Sequence, residues 1–321
     1  MGEHHRVAVV MGGTSPEREI SMVSGTAIAE GLRQAGEAVY EVVANDHHLR
    51  ELDDLPVDVV FVALHGTWGE DGGVQELLES KGLPYTGSGV KASRRGMDKL
   101  LSKEAFAAQG VPTAPYESFA AGDHSREIAK RAESLGFPVV VKPRAQGSSI
   151  GVTIVRRPGD LSAAVAHALE YGPDGLLERY VAGRELTVGI LDGGPLPIIE
   201  LRSRREFFDF EAKYQEGVTE HIFDVPLSPE TYAHVQEAAA DAYGSLGCRG
   251  FARVDLRLSE EALPFILEVN TIPGFTPVSL FPEAAKHQGI DFPELCFRLV
   301  ALALRDQAKV GHGELTNQRG G

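Results

Sequence analysis

"GFARVDLRLSEEALPFILEVNTIPGFTP", residues 250–277, decides how the chain folds. It holds two alternating runs around the short polar segment SEEALP. Successive side chains of a strand point to opposite faces. In the first run Val254, Leu256 and Leu258 take one face, and Arg253, Asp255 and Arg257 the other. In the second, Phe265, Leu267 and Val269 oppose Ile266, Glu268 and Asn270. A loop this short predicts an antiparallel hairpin, which puts Arg253, Asp255, Glu268 and Asn270 on one surface. Two carboxylates and an amide oxygen suit a hard divalent cation such as Mg²⁺, which takes few protein ligands and leaves room for phosphate oxygens. A solvated sheet face with an incidental ion pair fits the hairpin equally well. Pro273-Gly274 then ends the second run in a turn.

The whole chain sets bounds on either reading. At 321 residues it has length for two or three domains with real cores. Its 43% apolar and 24% charged residues are ordinary for a globular protein. A formal net charge of −15 argues against nucleic acid or an anionic membrane as partner, and leaves room for a local basic pocket. The longest apolar runs, such as VVFVAL at 59–64, are too short to span a membrane. The N-terminus enters a strand without a signal-peptide pattern, and Arg6 stands where a myristoylation motif needs Ser or Thr. The two cysteines, Cys248 and Cys296, have no metal or redox spacing and read as small buried hydrophobes in a reducing cytosol. His4-His5 and His47-His48 read as surface residues.

RVAVVM (6–11) and VDVVFVAL (57–64) read as buried parallel strands. The helix between them has Ser15 as N-cap, Pro16 at its first position and Gly36 at its end. A second helix covers 72–82. The expected division is an N-terminal open parallel α/β domain at 1–87, a central domain at 88–178 and a C-terminal domain at 179–321. The central domain reads as strand, glycine loop and strand over 137–155, then a helix from 161 and a strand at 175–181. The C-terminal domain has strands at 184–191 and 196–201, a long polar-aromatic loop through 222, a helix at 229–246, the hairpin, and a last helix at about 293–305 before a frayed tail.

Several stretches carry chemistry, each beside a plainer reading. VKPRAQGSSIG at 141–151 places Lys142 ahead of a Gly-Ser loop whose N–H groups can approach phosphates; a hairpin tip is the alternative, and no P-loop pattern occurs. TGSGVKA at 86–92 matches the G-x-G-x-x-A dinucleotide pattern, but after a very short strand. Glu17 follows a glycine turn at the C-terminal edge of a strand, where open α/β sheets bind ligands; an acid stabilised by the helix dipole is the alternative. His65 is placed alike, as a ligand contact or a loop cap. Residues 206 to about 220 read as a lid with Lys213 and Tyr214 as working tips, or as a solvated loop packing its own aromatics.

In this order the stretches GGTSPEREIS, ALHGTWGEDGGVQ, GLPYTGSGV, MDKLLSK, FPVVVKPRAQGSSIGV, LLERYVAGRELTVGIL, FFDFEAKY, GCRGFARVDL and ILEVNTIPGFTPVSLFP resemble the ATP-grasp superfamily, specifically the D-alanine–D-alanine ligase family. The match covers the chain from about residue 6 to about 305. The resemblance implies a three-domain ATP-grasp fold, and an enzyme that joins two D-alanines through an acyl phosphate for peptidoglycan precursors. ATP would be the co-substrate, with two Mg²⁺ ions (Mn²⁺ substituting) on Asp255, Glu268 and Asn270. Lys99, Lys142 and Lys213 would contact phosphates, with Ser149 and Phe207 also at the nucleotide. Glu178 and the backbone of Val181 would hold the adenine, and Glu185 the ribose. Glu17 would bind the first D-alanine's ammonium, with His65 near its carboxylate. Arg253 and the N–H of Gly274 would stabilise the tetrahedral oxyanion, while Ser279 and the N–H of Leu280 grip the second carboxylate. A Glu17–Ser148–Tyr214 network would fix the loop and lid. A cytoplasmic homodimer is implied.

Four positions depart from the family pattern: Arg179 for a lysine, Phe208 and Phe210 for lid tyrosines, and Trp68 beside His65. Three rivals stand. A ligase joining D-alanine to D-lactate is disfavoured by the Lys213-Tyr214 pair. A Rossmann oxidoreductase would rest on TGSGVKA alone. A non-catalytic nucleotide sensor would have no need of Arg253 beside the metal ligands.

Overall fold

The structure, a computed structural model, describes residues 4–203 and 219–317. The chain begins with strands β1 (Arg6–Gly12), β2 (Ala38–Ala44) and β3 (Val59–Val62) and helices α1 (Arg18–Gln34), α2 (Glu51–Asp54) and α3 (Gly73–Ser80). The strands form a parallel sheet in the order β2-β1-β3. Val7 to Met11 are fully buried, as expected of a strand covered on both faces.

Next come α4 (Val90–Met97), α5 (Lys99–Gln109), β4 (Tyr116–Ala120), α6 (Ser125–Leu135), β5 (Val139–Pro143), β6 (Thr153–Val155), α7 (Leu161–Leu169) and β7 (Asp174–Arg179). Their strands pair antiparallel in the order β4-β7-β5-β6. The last part contains β8 (Arg184–Leu191), β9 (Gly194–Ser203), β10 (Thr219–Ile222), α8 (Pro229–Leu246), β11 (Phe251–Leu258), β12 (Pro264–Asn270), α9 (Leu280–His287) and α10 (Phe292–Asn317). Its antiparallel sheet has the order β10-β9-β8-β11-β12.

Two helices pack away from their sequence neighbours. Phe106 of α5 joins the core formed by Val188, Val235, Val254 and Ile266, so α5 rests against α8. On α10, Leu295, Leu299 and Val300 pack with Val9, Ile28, Leu32 and Phe61, closing the end of the chain over the first sheet.

The structure corrects the sequence reading in several places. The sequence reading assigns no strand to 38–44, although this stretch is rich in β-branched residues and Val42 and Ala44, two apart, form its buried face. The first helix starts at Arg18, not Pro16. Ser15 does not cap it: its hydroxyl donates to the His65 carbonyl at 2.7 Å and accepts from the Glu17 N–H at 3.2 Å, tying the turn to the end of β3. The loop expected through 222 is too long a reading, because Thr219–Ile222 pairs with β9 as a strand. The last helix continues to Asn317, through most of the expected tail. The hairpin forms as predicted but with a β-bulge: Asp255 pairs with Glu268 and Leu256 with Ile266, leaving Leu267 as the extra residue. Ile266 therefore turns into the core, fully buried, although simple alternation put it on the face of Glu268. Of the predicted lid, 206–218 lies outside the described residues, with Phe207, Lys213 and Tyr214.

Candidate active site

The bulged hairpin builds the polar centre. Asp255 and Glu268 are cross-strand partners, and Arg253 pairs with Asn270. Asp255 accepts from Arg253 Nε at 2.8 Å and Nη2 at 2.7 Å, from Thr187 Oγ1 at 2.6 Å and from Asn270 Nδ2 at 3.0 Å. These donors lock a carboxylate that is only 8% exposed. Asn270 spends its amide nitrogen on Asp255, so its oxygen is the atom available to a cation. Among the described residues no three His, Cys, Asp or Glu side chains are grouped to hold a metal ion. The set is instead two carboxylates and an amide, which fits Mg²⁺ bound mainly through phosphates.

The hairpin forms one wall of a cleft between the second and third sheets. Lys99, Lys142, Ser149, Glu178, Val181, Glu185, Asp255 and Glu268 all line it, whereas Asn270 is not in the lining but reaches Asp255 from the edge of the hairpin, and Phe207 and Lys213 lie outside the described residues. Lys99 stands 3.8 Å from Glu268 and donates to the Gln146 carbonyl in the Gly-Ser loop. Glu178, 2% exposed, is gripped from both sides by Lys142 and Lys103. Burial opposes its ionisation, but the two ammonium groups outweigh that and hold its carboxyl below the ordinary glutamate range. Burial pushes Lys103 down to about 8, against the pull of Glu178. Lys103 also donates to Thr113 Oγ1 at 2.7 Å, and that hydroxyl donates to the Ile266 carbonyl at 2.8 Å, linking the cluster to β12.

At the other end, the Ser148 hydroxyl donates to Glu17 Oε1 at 2.7 Å across 131 residues of sequence. Ser148 and Ser149 hold left-handed φ angles of 52° and 58°, uncommon for residues with a Cβ. Gly66 (φ 71°) lies so close to Glu17 that a Cβ there would sit 2.5 Å from Oε2. His65, 5% exposed, contacts Ser24 Oγ and Glu70 Oε1, each at 3.2 Å. Ser24 Oγ also accepts from the Phe275 N–H at 3.4 Å. The Phe275 ring is held by Phe61, Phe251, Phe281 and Phe292, with centroids 5.6–5.9 Å away. This aromatic anchor fixes the turn that carries Gly274. A Cβ on Gly274 would lie 3.5 Å from Ser279 Oγ, so Gly274 and the start of α9 adjoin. Ser279 stands at the α9 N-cap position and accepts from the Thr276 N–H at 3.0 Å, and Leu280 opens the helix.

Sequence reasoning gave no role to Lys103, Gln146, Ser24 or Arg257. Lys103 had a signal, since it follows Lys99 by one helical turn and shares its face. Arg257 was on the right strand face, two residues beyond Asp255. TGSGVKA is absent from the lining of the cleft; Gly87 packs against the Phe251 ring instead.

A cleft between two antiparallel sheets, lined by lysines and by a carboxylate hairpin, defines an ATP-grasp ligase. Comparison with known proteins narrows the class. Residues 105–301 match the family described as D-ala D-ala ligase C-terminus, and residues 45–88 the D-ala D-ala ligase N-terminus. The D-alanine–D-alanine ligase of Geotalea uraniireducens is 45% identical over 93% of this chain and 95% of its own. That of Desulforudis audaxviator is 46% identical over 93% and 98%. The crystal structure of the Bacillus anthracis D-alanine–D-alanine ligase superposes with a TM-score of 0.86 at 34% identity, covering 95% of this chain and 99% of that one; its complex with ATP gives 0.84 at 32%, with the same coverage. The chain belongs to the D-alanine–D-alanine ligase family.

Proposed function

We propose that this cleft joins two D-alanines at the expense of ATP, by the steps below. The reaction is that of the family, an ADP-forming ligation; the residue roles are those the family resemblance implies. One carboxylate oxygen of the first D-alanine attacks the γ-phosphorus as the bond to ADP breaks, giving an acyl phosphate and ADP. The neutral amine of the second D-alanine attacks the acyl carbon. The resulting tetrahedral oxyanion collapses by expelling phosphate, and the amine proton is lost to leave the peptide bond.

Glu17, oriented by Ser148, holds the first ammonium, and His65 lies near that carboxylate. Lys99 and Lys142 receive the phosphates, with Ser149 in the loop and Lys213 from the lid. Glu178 and the Val181 backbone take the adenine, Glu185 takes the ribose, and Phe207 is assigned to the nucleotide. Arg253 and the Gly274 N–H stabilise the oxyanion, while Ser279 and the Leu280 N–H hold the second carboxylate. Tyr214 completes the network through Ser148. Asp255, Glu268 and Asn270 would hold two Mg²⁺ ions, or Mn²⁺, whose charge neutralises the phosphate oxygens.

The observation that carries this reading is the single cavity uniting Lys99, Lys142, Glu185, Asp255 and Glu268. Among the described residues no helix is long and apolar enough to cross a membrane. A cytoplasmic homodimer supplying peptidoglycan precursors completes the proposal. The test is phosphate release from ATP with D-alanine, L-alanine, D-serine or D-lactate. D-Alanine should be the preferred acceptor; preference for D-lactate would make the enzyme a depsipeptide ligase.

A further inference from the structure

Arg253, Asp255 and Arg257 alternate along one face of β11. The first two stand at the polar centre, and Arg257 reaches the opposite end of the cleft. There it grips the segment joining β7 to β8. Its Nε donates to the Val181 carbonyl at 3.2 Å, Nη2 to the Gly183 carbonyl at 2.8 Å, and Nη1 to Glu185 Oε2 at 3.1 Å. Its guanidinium carbon lies 5.8 Å from the centroid of the Tyr180 ring. Arg257 and Glu185 are also cross-strand partners, with side chains only 18% and 19% exposed. Gly183 lets the segment press onto β11: its φ is 125°, and a Cβ would lie 2.1 Å from the Leu258 carbonyl.

We infer that Arg257 is a positioning residue for the nucleoside, fixing the Glu185 carboxylate so that the enzyme discriminates for the ribose hydroxyls. The inference rests on the assignment of Val181 to adenine and Glu185 to ribose. A carboxylate selects hydroxyl donors only if its oxygens are held in place, and the Arg257 fork holds one of them. The other two arms of that fork hold the carbonyls on either side of Ala182, so adenine and ribose contacts keep a fixed spacing. Lysine, a point charge without a planar fork, cannot serve all three acceptors.

The experiment compares KM and kcat for ATP and 2′,3′-dideoxy-ATP in the parent, Arg257→Met, Arg257→Lys and Glu185→Gln. The parent should favour ATP in KM by about tenfold or more, as expected for hydrogen bonds to a charged group. Arg257→Met should raise the KM for ATP about tenfold, with kcat within about twofold, and bring the two nucleotides close to parity. Arg257→Lys should fall between, and it decides the matter if the methionine variant does not fold. A merely structural arginine would raise both KM values alike and keep their ratio; that result overturns the inference. If Glu185→Gln collapses the ratio while both Arg257 variants keep it, Glu185 binds ribose without help from Arg257. If the parent does not discriminate, or Glu185→Gln leaves the ratio unchanged, the ribose assignment fails and the inference with it.

Discussion

Glu268 is 24% exposed in its side chain, faces Asp255 across the hairpin and lies beside Lys99. Replacing it with glutamine keeps the shape and removes the charge. We expect Glu268→Gln to slow ligation by roughly 10²–10³-fold, the usual loss for one preorganised electrostatic group. Near-normal turnover at ordinary Mg²⁺ would take Glu268 out of the mechanism. Lys103 makes a different prediction, because it is buried at 1% exposure against Glu178. Lys103→Met leaves that carboxylate with a single cationic partner, and breaking a buried pair costs about 3–5 kcal/mol. Denaturant unfolding measures the loss; a change under about 1 kcal/mol would deny the pair its structural weight. The pH dependence has a definite sign. Lys103 titrates near 8 when folded and near 10.5 when unfolded, so between these values the unfolded chain binds the extra proton. The stability advantage of the parent over Lys103→Met should therefore grow from pH 8 to pH 10 and level off above the unfolded value. A gap that shrinks over this range contradicts the depressed titration.

At the scale of elements, the site depends on contacts that join distant segments. The Gly-Ser loop between β5 and β6 meets the start of α1 through Ser148 and Glu17. Glu17→Gln and Ser148→Ala should each reduce kcat/KM, and the double variant should lose less than the sum, with a coupling of about 0.5–3 kcal/mol. Strict additivity would mean that the hydrogen bond does not act in turnover. The hairpin itself was legible, since period-two alternation around SEEALP located both strands and the faces of Asp255 and Glu268. The bulge at Leu267 was not. An inserted residue leaves the composition of a strand unchanged, and only the cross-strand partner reveals it. Ser15 misled for a related reason: serine favours an N-cap wherever its hydroxyl has no better use, and here the His65 carbonyl, 50 residues away, takes it. The lysine pair around Glu178 was half legible, because Lys142 had a motif and Lys103 only its helical spacing.

On the scale of the molecule, ligand binding should couple the walls of the cleft. ATP with Mg²⁺ at about a hundred times its Kd should stabilise the fold by about 2.7 kcal/mol, read as a rise in melting temperature. Adding EDTA should remove most of that rise; an equal rise without divalent ions would deny Asp255, Glu268 and Asn270 their role. The order of the three sheets could be anticipated from motif order, but their mutual packing could not, because α5 and α10 bury their apolar faces against elements remote in sequence.

The position of α10 also bears on how the protein is made. Ribosomes release a chain from its N-terminus, yet Ile28, Leu32 and Phe61 find their cover in Leu295, Leu299 and Val300. At roughly 5–20 residues per second, the first sheet waits about 12–48 s with one flank bare. Over that interval the nascent chain leaves Ile28, Leu32 and Phe61 uncovered, the kind of exposed apolar surface that favours aggregation. The first strands therefore reach their final packing only once the last helix has been made.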